Sequence, residues 1–135
     1  MGGTNVRAAA IDPANGALLT APSKLRLKKK SSDVVSPSQL KHVLQAVYKE
    51  ALTMLAVAEA ERCGCSAAFM APRLVPMAVG IGTPGQVDND NGTITGLANY
   101  PEWGQQRLPV REYLAEVVDA GAVNGHEPVP IFIFD

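Results

Sequence analysis

Residues 79–88, Val79-Gly-Ile-Gly-Thr-Pro-Gly-Gln-Val-Asp88, decide how this chain is read. Met77-Ala-Val-Gly-Ile81 is a short apolar run of the kind that forms a buried strand. It breaks at once into Gly82-Thr-Pro-Gly85. Glycines and a proline at a strand end make a rigid turn, where backbone can meet a ligand closely. A plain structural hairpin is the other reading of the same residues. Beyond it, Asp88-Asn-Asp-Asn-Gly92 predicts a polar turn before Thr93-Ile-Thr95.

Working back toward the start, residues 36–64 carry the clearest helix. Ser36 is suited to the N-cap, Pro37 to the first helical position, and Gln39 to the returning arm of a capping box. Leu40, Val43, Leu44, Val47, Ala51, Met54, Leu55 and Ala58 recur at helical spacing, and Gly64 is the natural stop. His42 and Tyr48 fall off that stripe and read as surface residues. Before the helix, residues 1–12 read as a glycine turn running into a strand, and Pro13-Ala-Asn-Gly16 as a second turn. A strand follows over residues 17–27, where Leu25 and Leu27 alternate with Lys24, Arg26 and Lys28, giving one buried and one wet face. Lys28, Lys29 and Lys30 read as a solvated strand end, with phosphate contact as the alternative. Pro72 and Pro76 mark a loose stretch. A second helix is expected near Pro109, with Val110, Leu114, Val117 and Val118 inward, and a last apolar strand over residues 129–134. Together these predict a mixed α/β sheet with helices packed on it.

Composition sets the bounds. The chain has 135 residues, 47 % of them hydrophobic, enough for one folded domain. Twelve basic against thirteen acidic residues leave a formal charge of −1, so no global field favours nucleic acid or an acidic membrane surface. Cys63 and Cys65 stand one residue apart, far from His42 and His126, which suits two reduced thiols rather than a metal site or a disulfide. The N-terminus lacks a charged-then-apolar leader, and no run reaches the ~20 apolar residues of a membrane span. The expected location is the cytoplasm.

Several residues could carry chemistry. Gly2, Gly3, Thr4 and Asn5 offer open backbone amides, a hydroxyl and a carboxamide to phosphate oxygens. Arg7 adds a guanidinium that can pair with phosphate. The segment matches neither the common mononucleotide loop nor the dinucleotide glycine fingerprint. Leu97-Ala-Asn-Tyr-Pro-Glu-Trp103 is a second candidate: Asn99 can donate to and accept from sugar hydroxyls, and Trp103 has a flat apolar face. Asp135 ends a strand, where a carboxylate can take the proton of an attacking hydroxyl.

These segments resemble the ROK family of sugar kinases and repressors. Gly2, Gly3, Thr4 and Arg7 match its first phosphate loop, without the leading Asp and its strand. Gly80, Ile81, Gly82, Pro84, Gly85, Val87 and Asp88 match a second motif. Gly92, Thr93 and Ile94 with Asn99, Pro101 and Trp103 match a third, and residues 129–135 a fourth. The resemblance implies a ribonuclease-H-like lobe of the actin, hexokinase and hsp70 superfamily. It implies an ATP- and Mg2+-dependent hexose kinase acting on a sugar hydroxyl, such as O6 of glucose. Phosphate would bind at Gly2, Gly3, Thr4, Asn5 and Arg7, and sugar at Thr83, Pro84, Gly85 and Asn99. The catalytic base would be Asp135 after a one-residue shift, or an Asp just beyond it. Residues 1–135 would then be an N-terminal lobe lacking its first strand and the C-terminal lobe, and inactive alone. Hexose and ATP are the expected partners, with a homodimer in the full-length protein. A sugar-sensing repressor of the same family and a degenerate structural remnant are the alternatives.

Overall fold

Side-chain chemistry turns the chain back on itself over residues 12–16. Asp12 Oδ1 accepts from the Ala14 N–H at 2.9 Å and Asn15 Oδ1 from the Ala17 N–H at 2.9 Å. Gly16 takes the left-handed φ of +72° that closes the turn. In this computed structural model, which describes residues 5–26, 36–83, 85–97, 104–120 and 129–134, the turn joins β1 (Asn5–Ala8) to β2 (Ser23–Arg26). The two pair antiparallel, Asn5 opposite Arg26 and Ala8 opposite Ser23. Both are shorter than the sequence pattern predicts; past Ala8 the ladder continues only as an Ile11–Leu18 bridge. Lys24 and Arg26 face solvent and Leu25 is half-buried, the alternation expected. Ser23 takes the most buried place on β2, its Oγ donating to Val47 O at 2.8 Å and so tying the hairpin to the long helix.

That helix, α1, spans Pro37–Cys63. The Ser36 N–H donates to Gln39 Oε1 at 3.0 Å, and Pro37 at the first position costs no hydrogen bond. Gly64, at φ +71°, ends it, and the Cys65 N–H closes on Ala60 O at 3.0 Å. Leu40, Val47 and Ala51 of the predicted stripe are buried and Val43, Leu44, Met54, Leu55 and Ala58 half-buried, with Ala56 and Ala60 buried beside them. Tyr48 corrects the sequence reading: it is half-buried against a cluster of Leu114, Val118 and Ile131. The helix is covered on two flanks, by the β1–β2 hairpin and by α3 (Val110–Ala120), so its buried arc is wider than one stripe. The stretch expected to be loose holds a short helix, α2 (Ala67–Met70), started by Ser66 Oγ accepting from the Phe69 N–H at 3.1 Å. A 3-10 turn, Ala71–Arg73, follows.

The remaining strands are β3 (Val79–Gly82), β4 (Gln86–Asp88), β5 (Thr93–Thr95) and β6 (Ile131–Phe134). β3 and β6 run parallel, Val79 level with Ile131 and Gly82 with Phe134. β4 and β5 form an antiparallel hairpin around the predicted polar turn. Ile94 and Leu108 exchange backbone hydrogen bonds of 3.0 and 2.8 Å, which docks the hairpin beside the start of α3. The core is two adjoining clusters: Leu40, Ile94, Leu108, Val110 and Ile133, and Leu114, Val118 and Ile131. The architecture is therefore mixed α/β. One feature differs from expectation: among the described residues the strands form three two-stranded ribbons, β1–β2, β3–β6 and β4–β5, rather than one sheet. No described strand lies between β1 and β3, so no backbone ladder joins them. Among the described residues no helix is long and apolar enough to cross a membrane. Cys63 is exposed, Cys65 is half-buried, and both are free thiols.

A polar strap holds α1 against α3. Lys41 Nζ lies 3.0 Å from Glu116 Oε1, while Gln45 Nε2 donates to Tyr113 O at 2.8 Å and to Glu116 Oε2 at 3.0 Å. Hydrogen bonds from Lys41 and then Gln45 hold the Glu116 carboxyl below its ordinary value. A carboxyl depressed in the folded state contributes stability above its unfolded value of about 4, lost as pH falls through the lower folded value. The melting temperature is thus expected to drop as pH falls through the unfolded value of about 4 and below it. Glu116→Gln should make the drop shallower; an unchanged thermal-denaturation profile in that variant would count against the strap.

Candidate functional site

The open space between β1 and β3 follows from the split sheet. It is a cavity of about 1070 Å3, walled by residues 5–11 on one side and 74–83 on the other. Leu44, Val47 and Leu55 of α1 are among the residues beneath it. Asn5 and Arg7 come to this cavity from β1, and both are exposed. Thr83, half-buried, comes to it from the residue after β3. The Thr83 N–H donates to Phe134 O at 2.8 Å, so β3 and β6 finish level. Ligands of open α/β sheets bind outside the carboxyl ends of parallel strands, and Thr83 occupies such an end.

Gly85, by contrast, is buried and does not line the cavity. Its N–H points at Thr83 Oγ1, 3.5 Å away. A Cβ added there would lie 2.6 Å from Thr95 O, so the packing of β5 against this turn requires glycine whether or not a ligand approaches. Gly2, Gly3, Thr4, Pro84, Asn99 and Asp135, with Trp103, lie outside the described residues. The residues that line this largely apolar space thus include an arginine, an asparagine and a threonine. Those are the groups that pair with phosphate oxygens and sugar hydroxyls.

Asn89, Gly92 and Arg111, none of them a predicted site residue, brace the edge of β6 that faces away from β3. The Asn89 carboxamide works as a substitute strand: Nδ2 donates to Ile133 O at 2.9 Å and Oδ1 accepts from the Ile133 N–H at 3.1 Å. Arg111 Nε donates to Ile131 O at 3.1 Å, and its Nη2 to Asn89 O at 2.6 Å. Gly92, at φ +69°, lies directly beneath the Arg111 stem; a Cβ there would be 2.6 Å from Arg111 Cβ. Asp88 shapes the same turn, accepting from the Asn91 carboxamide at 2.7 Å and from the Asp90 and Asn91 N–H groups. The Asn91 side chain, then its backbone N–H, holds the Asp88 carboxyl below its usual value. A polar turn of Asp and Asn signals its own closure in sequence, but nothing in it reveals which strand the amide will meet.

No protein-family model, no curated protein and no solved structure matches the chain.

Proposed function

We propose that the chain is the sugar-binding, phosphate-facing lobe of an ATP-dependent hexose kinase of the ROK type, built on a ribonuclease-H-like sheet. The observation that carries the reading is one cavity, lined by Asn5 and Arg7 of β1 on one side and by Thr83 at the end of β3 on the other. Four sequence motifs in family order support it. The level carboxyl ends of β3 and β6 do too, since Asp135 follows Phe134 directly in sequence.

In this reading Arg7 pairs with phosphate oxygens as a charged fork, and Asn5 supplies a neutral hydrogen bond beside it. Thr83 holds a sugar hydroxyl, and Asp135 or a carboxylate just after it takes the hydroxyl proton. ATP supplies the transferred phosphoryl group. Magnesium rides mainly on phosphate oxygens and water and asks for few protein ligands. Among the described residues no three acidic, histidine or cysteine side chains come together, and none is assigned to the ion. Catalysis would rest on positioning and charge stabilisation rather than covalent chemistry.

Amide NMR of the labelled chain tests this, with glucose, mannose, fructose and N-acetylglucosamine titrated in turn, then ATP. One hexose is expected to shift the Thr83 resonance saturably, and ATP those of Asn5 and Arg7. Thr83→Val removes one hydrogen bond, worth about 1.4 kcal/mol, and should weaken the hexose roughly tenfold. No response to any sugar would overturn the assignment.

A further inference from the structure

The chain's two cysteines sit where the long helix stops, away from the candidate site. Cys63 is the last residue of α1 and is exposed; Cys65 is half-buried. Neither lines the cavity between β1 and β3. Gly64 between them is left-handed, at φ +71° and ψ +29°. Its N–H and that of Cys65 both close on Ala60 O, the second at 3.0 Å, so the helix cap holds this turn in place. A Cβ built on Gly64 would meet no heavy atom within 4 Å, so that side of the turn is open to an incoming molecule.

With trans peptides, the dihedrals of one residue set the distance between the Cα atoms on either side of it. Gly64 lies near the mirror image of an α-helical residue, and mirror images keep distances. The Cα atoms of Cys63 and Cys65 are therefore about 5.4 Å apart. A disulfide spans about 4.4–6.8 Å between Cα atoms, so the backbone holds the pair within bridging range. A bridge across one intervening residue is nonetheless strained, and strain makes a disulfide easier to reduce. Two reduced thiols are thus the resting form, and a disulfide between them is one that exchanges readily. A zinc site needs three or four ligands. Among the described residues no three acidic, histidine or cysteine side chains come together, so these two thiols lack the company zinc requires. Disulfide exchange needs two thiols and nothing more.

We propose that Cys63-Gly64-Cys65 is a reversible exchange site for low-molecular-weight disulfides, with Cys63 the attacking sulfur and Cys65 the resolving one. The Cys63 thiolate displaces one half of the external disulfide, forming a mixed S–S bond and releasing the first thiol. The Cys65 thiolate then breaks that mixed bond, releasing the second thiol and closing the bridge between residues 63 and 65. Two electrons pass from the cysteine pair to the external disulfide, and the two cysteine protons end on the released thiols. The order follows from access, since Cys63 is the exposed member. Arg62 puts a cation nearby: its guanidinium is held above its ordinary value by Glu59 first and by Cys63 after it. That charge offsets the negative end of the α1 dipole, which works against a thiolate there. The inference stands on the thiol pair and does not depend on the sugar-kinase reading.

The test incubates the intact chain with oxidised glutathione, then counts free thiols and measures the intact mass. The chain is expected to lose both thiols, release two equivalents of reduced glutathione and keep none bound. Cys65→Ser should stop at the mixed disulfide, with one glutathione held on Cys63. Cys63→Ser should react roughly tenfold more slowly than Cys65→Ser, because access governs the rate of attack. Dithiothreitol should return both thiols of the unaltered chain. Glutathione retained on that chain would show that the ring does not close and overturn the proposal. So would thiols left unreacted, bridges between two chains, or equal rates for the two variants.

Discussion

Replacing Arg111 with alanine is expected to lower the unfolding free energy by about 3 kcal/mol, because hydrogen bonds from a charged donor are worth about 1.5–3 kcal/mol each. Arg111 ties α3 to two other pieces of chain: the guanidinium Nε caps Ile131 O on β6 and its Nη2 holds Asn89 O in the polar turn, while the backbone N–H of the residue meets Gly92 O of the same turn at 3.1 Å. Only the last survives the substitution. Without the clamp the Asn89 carboxamide loses its backing, and the bonds it makes to both backbone groups of Ile133 should loosen with it. Arg111→Lys keeps the charge but not the planar fork, and should recover only part of the loss. Urea denaturation of the three proteins decides the matter. A loss below about 1 kcal/mol in the alanine variant, the scale of a neutral surface contact, would show that the clamp is incidental.

The contrast between Arg111 and α1 shows what was legible in sequence. Ser36, Pro37 and Gln39 at one end, Gly64 at the other and a 3.6-residue apolar repeat between them are local signals, and the helix follows them. The hairpin turn at residues 12–16 is likewise local, because Asp12 and Asn15 bond to backbone two residues on. The pairing of β3 with β6 joins residues about fifty apart in the chain, and no residue near Val79 announces Ile131 as its neighbour. Tyr48 was misplaced for a related reason. Periodicity marks one stripe of a helix, whereas α3 covers a second.

The candidate site divides in the same way. Thr83, Asn5 and Arg7 could be picked out as polar groups at or beside strands, and they line one cavity from its two sides. Gly85 could not be interpreted from sequence, because a glycine kept for a ligand and a glycine kept for close packing look alike. Here Thr95 O, 2.6 Å from where a Cβ would sit, supplies the packing reason. The exposure of Gly80 and Gly82 was invisible for a stronger reason. Two glycines in an apolar run read as a buried strand, yet both are exposed, and their backbone faces are known only once β6 is in place on the other side.

Leu108→Ala is expected to cost about 3–4 kcal/mol, within the range measured for buried leucines truncated in close-packed cores. Leu108 is 1 % exposed and sits in the cluster where β5, α1, the start of α3 and β6 meet. The substitution spares its two backbone hydrogen bonds to Ile94, so the loss isolates side-chain packing and the hole left behind. In sequence the residue is flanked by Arg107 and Pro109 and belongs to no apolar repeat, so its importance comes wholly from the tertiary fold. Met77 is the matched control: it is 80 % exposed, and Met77→Ala should change stability by no more than about 0.5 kcal/mol. Denaturant midpoints for the two variants separate the possibilities. If both fell equally, the cluster around Leu108 would not be the core that holds the β4–β5 hairpin against α3.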